Sequence, residues 1–301
     1  GFDVLVIEGV ADSWVMLWIM DGYVEFRDAH AYRNLDTYAT QQKIWKELHP
    51  KARTVCIGPA GEKLSRLAVI LSDTTFASGR SGFGAVMGAK MLKAIAVRGT
   101  KALRIHEPQK LITVANKVRL LSSENIMKEI TSRAISSEAR EALNTYRTRN
   151  IGCFGCCMPC FAFMKVPGAG SAPAHCVNYY YYNLATRFYG HTIKRDQAVA
   201  DGFIYANKLG LDTFEFARML AFIDQLSLRG NKFIEEELGQ KIGSREFIQQ
   251  FLIRVANRQG IGELFAEGTV RAANQLENCQ DLCAQFFPAH GSAEHGNIRE
   301  H

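Results

Sequence analysis

Apolar and polar positions change their pattern about a third of the way along the chain. Up to about residue 105, apolar residues come in short runs separated by glycine. Residues 2–8 and 14–20 are two such runs with strand character, and Asp21-Gly22 turns the second into residues 23–26, the form of a hairpin. Asp36 then caps an amphipathic segment to about residue 48, which Pro50 stops. Residues 54–57, 67–71 and 92–97 read as further strands, so this part predicts a strand-rich layer with at least one covering helix. From residue 111 to 146 the periodicity turns helical. A cysteine-rich loop interrupts it, and Pro167-Gly-Ala-Gly-Ser-Ala-Pro173 reads as a flexible connector. Two helices broken at Gly210 are expected over residues 196–228, another over 244–258, and a last one from Gly260-Ile-Gly262 to about 276. The tail after Cys283 reads as irregular and histidine-rich. The expected fold is α+β: a β-rich N-terminal domain over residues 1–105, then a mainly α-helical domain over 106–301 that carries the cysteine loop.

Composition adds limits more than detail. A 47% apolar and 22% charged chain of 301 residues has material for a sizeable core. The net charge of +6 is scattered, without a polybasic run, which argues against nucleic-acid or membrane-surface partners. It suits an anionic cofactor or an acidic electron-transfer partner equally well. No apolar run approaches the roughly 18 residues of a membrane span, and the N-terminus lacks the charged-then-apolar pattern of a leader. The eight cysteines are clustered rather than spread as a disulfide framework, which favours metal in a reducing cytoplasm.

Three stretches carry candidate chemistry. Cys153-x2-Cys156-x3-Cys160, with Cys157 as an extra, lets one tight loop present three thiolates to a metal centre. Such a dense thiolate group is costly unless a metal neutralises it. Iron–sulfur is the leading reading; zinc and buried free thiols are the alternatives, and Cys176 with Cys279-x3-Cys283 makes no matched pair for zinc. In Ala77-Ser-Gly-Arg-Ser-Gly-Phe-Gly-Ala-Val-Met-Gly88, the glycines admit backbone amides close to an anion and Arg80 adds a fork of donors. A crowded turn where helix meets sheet explains them as well. Asn207-Lys-Leu-Gly-Leu-Asp-Thr213 reads as a helix end at Gly210 followed by an N-cap at Asp212 or Thr213. His290, His295 and His301 belong either to a surface tail or to proton transfer.

Taken in order and spacing, these pieces resemble the tungsten-dependent aldehyde:ferredoxin oxidoreductase family. The resemblance rests on Gly58-Pro-Ala-Gly-Glu62, the stretch from Ala77 to Lys90, Leu92-Lys-Ala-Ile-Ala-Val-Arg-Gly99, the cysteine loop, Leu209-Gly-Leu-Asp-Thr213, and Gly260-Ile-Gly-Glu-Leu-Phe-Ala-Glu-Gly268. It implies tungsten (or molybdenum) held by two pterin dithiolenes, a four-iron four-sulfur cluster beside it, and Mg2+ bridging the pterin phosphates. By the same resemblance Ala77, Gly79 and Arg80 lie at the pterin–phosphate site, and Asn207, Leu211 and Asp212 hold one pterin from the helical side. Cys153, Cys156 and Cys160 become three cluster ligands. The implied activity is oxidation of an aldehyde to a carboxylate, with electrons leaving for ferredoxin or another electron-transfer protein.

The departures from the family matter too. Phe76 stands where members often have arginine. Tyr182, last of four consecutive tyrosines, stands where aldehyde oxidisers commonly place a glutamate, and Asp201-Gly-Phe-Ile204 replaces a Glu-x-x-His motif. Tyr182, His290 and His295 are therefore the catalytic candidates. A tyrosine-rich pocket keeps the tungsten benzoyl-CoA reductase catalytic subunit open as an alternative, and an iron–sulfur electron-transfer or assembly module without its own pterin is a third. The chain is expected to be part of a longer polypeptide or of a split enzyme. It lacks an early glycine-rich cofactor segment and a late Asp-x-x-Gly-Leu-Cys motif, so the fourth cluster ligand is expected outside it. A homodimer and a hetero-oligomer both fit.

Overall fold

The computed structural model describes residues 4–73, 76–79, 82–124, 141, 144–152, 161–174, 178–276 and 279–286. The expected hairpin forms from Val15–Met20 (β1) and Tyr23–Asp28 (β2). Asp21 and Gly22 are both left-handed, with φ of 49° and 99°, as a two-residue turn matched to strand twist requires. β1 lies inside a six-stranded mixed sheet of order β2-β1-β6-β3-β4-β5, with β3 at Arg53–Cys56, β4 at Ile70–Ser72, β5 at Phe76–Ser78 and β6 at Leu92–Arg98. Only the β1–β6 pairing is parallel.

The unbroken apolar run of β1 follows from its two covered faces. Met16 and Trp18 pack toward Ile44 of helix α1 (Thr37–Glu47), whereas Leu17 and Ile19 pack with Ile57, just before the short helix α2 (Pro59–Glu62), and with Met87 of helix α3 (Phe83–Ala89). Asp36 caps α1 as expected, accepting from the Ala39 amide at 2.7 Å. Residues 4–8 are not a strand. Val4 and Val6 are about three-quarters exposed, and no partner strand for this run is present among the described residues, so its β-forming residues find no ladder.

Helix α4 (Pro108–Glu124) follows, exposed over its first thirteen residues. The supposed connector is instead part of an antiparallel meander of Arg147–Ile151 (β7), Phe161–Val166 (β8) and Gly170–Ala174 (β9). Gly168 and Gly170, at φ of 76° and 105°, make its turn. Pro173 is tolerated because β9 is an edge strand.

The remainder is helical: α5 (Asn178–Tyr189), α6 (Ile193–Leu209), α7 (Thr213–Leu228), α8 (Phe233–Leu238), α9 (Arg245–Asn257), α10 (Ile261–Ala266), α11 (Thr269–Gln275) and α12 (Gln280–Phe286). Gly268, at φ 97°, splits the expected last helix into α10 and α11. The segment after Cys283 continues as helix to Phe286 rather than being irregular at once. Phe251 centres this body, stacked on Phe216 and Phe247 at 6.1 and 5.7 Å and edge-on to Phe265 at 5.4 Å. Burying each such ring contributes about 1.5–3 kcal/mol. The same apolar cluster includes Ala60, Leu67 and Ala68, so it runs from the helices into the N-terminal part. The fold is α+β, a sheet-bearing N-terminal part followed by a mainly helical one.

Candidate cofactor site at the seam between sheet and helices

Residues 58–69, which leave β3 and enter β4, are the strip on which the helical part lies. Val69 N–H donates to the Gly210 carbonyl and Asp212 N–H to the Leu67 carbonyl, each at 2.9 Å, forming an antiparallel bridge of Ala68 with Leu211. This pairing explains why β4 begins at Ile70 and not at residue 67: residues 67–69 spend their hydrogen bonds on the helical side. Arg66 N–H donates to the Ala266 carbonyl at 2.9 Å. Arg258 donates to the carbonyls of Lys63 and Leu64, at 2.8 and 2.9 Å, and pairs with Glu267 and Glu263 at 2.6 Å.

Backbone approach this close leaves no room for side chains. A Cβ on Gly58 would stand 2.5 Å from the Leu209 carbonyl oxygen, and one on Gly84 2.6 Å from that of Val69. Gly82, at φ 68°, faces Arg66 in the same way, and Gly88 faces Gly61. Of the two readings of the 77–88 glycines, crowding thus accounts for 82, 84 and 88. Gly79 is different: among the described residues its nearest neighbour would be Ala77 Cβ at 3.9 Å, an ordinary contact that does not demand glycine. Ala77 is exposed on β5 opposite Leu71.

Asn207, Leu211 and Asp212 are brought together by the end of α6 and the start of α7. Gly210, at φ 75°, closes α6. Asp212 caps α7, accepting from the Phe214 and Glu215 amides at 2.8 and 3.4 Å. The helix-end reading of this stretch holds, and Asp212 rather than Thr213 is the cap. The Asn207 carbonyl accepts from Thr37 Oγ1 at 2.8 Å, which ties it to the start of α1. Its side-chain amide is buried beside the Tyr38 hydroxyl, and its Nδ2 has no hydrogen bond of good geometry to an acceptor among the described residues. Burial pushes the Tyr38 phenol up, with the Asn207 amide pulling it back. An orphaned buried donor at a helix end is a residue set that fits an acceptor-rich ligand such as a pterin. Sequence spacing gave no sign of Thr37 or Tyr38; only the position of the Asp36 cap, just before them, hinted that this helix end points inward.

A buried ion pair braces the strip from behind. The Lys93 ammonium, fully buried on β6, lies 2.5 Å from Glu62 and 2.9 Å from the Leu35 carbonyl oxygen. Glu62 also accepts from the Asn34 amide. Its partners satisfy the charge from several directions, as a buried pair requires.

Tyr182 sits elsewhere, in the helical core, 2% exposed. Its hydroxyl has no hydrogen-bond partner among the described residues, and the Arg195 guanidinium lies 5.4 Å from its ring centroid. Burial, aided by the charge of Asp196, pushes its phenol up, so it stays protonated. Asp196 accepts from Arg195 Nε at 2.8 Å and from the Tyr146 hydroxyl at 3.1 Å, one residue before β7 begins. Asp201, where a Glu-x-x-His motif was sought, is engaged by Arg245 and Gln249. Cys56 is pushed by burial up to about 12 and Cys283 to about 11, which makes them inert core thiols. Arg80, Cys153, Cys156, Cys157, Cys160, His290 and His295 lie outside the described residues. Among the described residues no group of His, Cys, Asp and Glu could hold a metal, and no helix is long and apolar enough to cross a membrane.

A mixed sheet joined to a helical body along a glycine-lined strip defines the architectural class. The chain belongs to the aldehyde ferredoxin oxidoreductase family: the model of the family's N-terminal domain matches residues 1–99, and that of its domains 2 and 3 matches residues 86–288. It is 29% identical to the tungsten-containing aldehyde ferredoxin oxidoreductase of Pyrococcus furiosus, over 91% of this chain and 50% of that one. It is 25% identical to the aliphatic sulfonate oxidoreductase, WOR-like subunit, of the same organism, over 96% of this chain and 53% of that one. Among solved structures, the active site complex BamBC of benzoyl coenzyme A reductase with 1,5 dienoyl-CoA matches at a TM-score of 0.74 and 26% identity, covering 91% of this chain and 47% of that one. The chain spans about half the length of the curated relatives it matches.

Proposed function

We propose that this chain forms the greater part of a tungstopterin site in an oxidoreductase that converts an aldehyde to a carboxylate and sends the electrons to ferredoxin or a similar carrier. The observation that carries the reading is the strip at residues 58–69, where the family-like segments at 58–62, 82–88, 207–212 and 260–267 converge beside an orphaned Asn207 amide. Residues 1–105 are the base of the site in this reading and residues 106–301 its helical cover.

When bound, tungsten (or molybdenum) on two pterin dithiolenes supplies the two-electron chemistry, and a four-iron four-sulfur cluster supplies one-electron transfer. Asn207 would donate to pterin through its unpaired amide, with Leu211 and Asp212 beside it on the helix boundary. Gly79 and Arg80, next to the exposed Ala77, would take pterin phosphate, and Mg2+ would supply counter-charge there. Cys153, Cys156 and Cys160 would hold the cluster. Tyr182 keeps its proton, and together with His290 and His295 it is a candidate for proton transfer.

The likeness to the benzoyl-CoA reductase complex supports a second reading, reduction of an aromatic thioester within a hetero-oligomer. The whole protein, isolated without oxygen, distinguishes them. Aldehyde-dependent reduction of a viologen dye, with tungsten, pterin and iron present, supports the first. Turnover of a coenzyme A ester alone supports the second, and zinc without pterin overturns both.

A further inference from the structure

At the start of β3, the end remote from Gly58, Arg53 pairs with Val97 of β6, and together with Trp45, Lys51, Ala52 and Arg98 they frame an open cleft of about 570 Å³. That volume falls within the range of small-molecule sites, roughly 300–1,000 Å³. Three of its lining residues are cationic, and none is acidic. Their charges are incompletely matched. Lys51 has no ion pair among the described residues, and Arg53 has Asp73 at 3.0 Å while remaining largely exposed. Arg98 gives one terminal nitrogen to the Gly99 carbonyl and has no ion pair among the described residues. Trp45, fixed by a 2.9 Å bond from Nε1 to the Ala52 carbonyl, and Val97 add an apolar wall.

We propose that this cleft binds a phosphorylated small molecule with a flat apolar group, of nucleotide size. Phosphate oxygens meet the Lys51 ammonium and the Arg53 and Arg98 guanidinium groups, a donor set that favours a doubly charged anion, and the flat group lies on the Trp45–Val97 side. Nothing in this inference depends on the pterin reading. The site is tested by titrating the full chain with AMP, read by calorimetry and tryptophan emission, with adenosine as the uncharged control. Saturable AMP binding is expected, weakened about tenfold or more in a Lys51→Ala/Arg53→Ala double variant, because charge-assisted bonds are lost. Both residues are exposed, so circular dichroism and the thermal midpoint should stay unchanged in that variant. Absence of saturable AMP binding overturns the proposal. So does adenosine binding as well as AMP, or AMP binding equally to the double variant.

Discussion

The strip at residues 58–69 and the polar cluster along α6 are both buried and both hold distant segments together, by opposite means. In the strip, main chain meets main chain: Val69 with Gly210, Asp212 with Leu67, Arg66 with Ala266. What makes it possible is the absence of side chains at Gly58, Gly82 and Gly84. Along α6, side chains do the joining through charge: Asp196 with Arg195 and Tyr146, and Asp201 with Arg245 and Gln249. The first region tolerates no added volume, and the second no unbalanced charge. A cofactor site on the strip therefore gains rigid backbone positions, whereas the α6 cluster fixes helices and the approach to the cysteine loop.

Substitutions can break this contrast in order of effect. Arg245→Ala leaves the Asp201 carboxylate buried with Gln249 as its remaining side-chain donor and should cost about 3–5 kcal/mol in urea unfolding. Gly58→Ala changes no charge, yet its methyl meets the Leu209 carbonyl, so a loss of about 1–3 kcal/mol is expected. Gly79→Ala, with open space around it, should stay within about 0.5 kcal/mol of the parent. Equal losses at the two glycines would remove steric crowding as the organising feature.

Tyr182→Phe deletes a buried hydroxyl that has no partner, so stability should be unchanged or rise by up to about 1 kcal/mol. If the phenol is a proton donor, turnover falls in the same variant, and a parallel fall in stability would instead reveal a hidden structural bond. A pH-dependent effect belongs to Glu267, whose carboxyl is held below its ordinary value by hydrogen bonds from Arg258 and Arg66. A depressed folded pKa contributes stability that is present above the unfolded value and lost as pH falls through the folded one. Glu267→Gln should therefore be less stable than the parent at neutral pH, with the gap closing in acid.

The contrast also sets what could be read in the sequence. Turn and cap residues act locally, so Asp21-Gly22, Asp36 and Gly210 announced their elements in advance. Glycine spacing singled out residues 79–88, but not whether anion approach or a crowded turn was the reason. Residues 4–8 were misread because strand propensity does not supply a neighbouring strand. Residues 167–173 were misread because proline and glycine mark an edge hairpin as readily as a loop. Lys93 was taken as one position in an apolar strand; its partner Glu62 is 31 residues earlier, beyond any local pattern. Tyr146 and Asp196 are 50 residues apart, and Asp201 and Arg245 are 44 apart, so the α6 cluster had no spacing to betray it.

The most direct test of the strip as a cofactor site is tungsten and pterin content in Asn207→Leu, purified without oxygen beside the parent protein. Removing a buried amide with an unused donor should leave the thermal midpoint of the cofactor-free protein unchanged or raised, while tungsten and pterin fall severalfold. Full cofactor content in this variant would contradict the account.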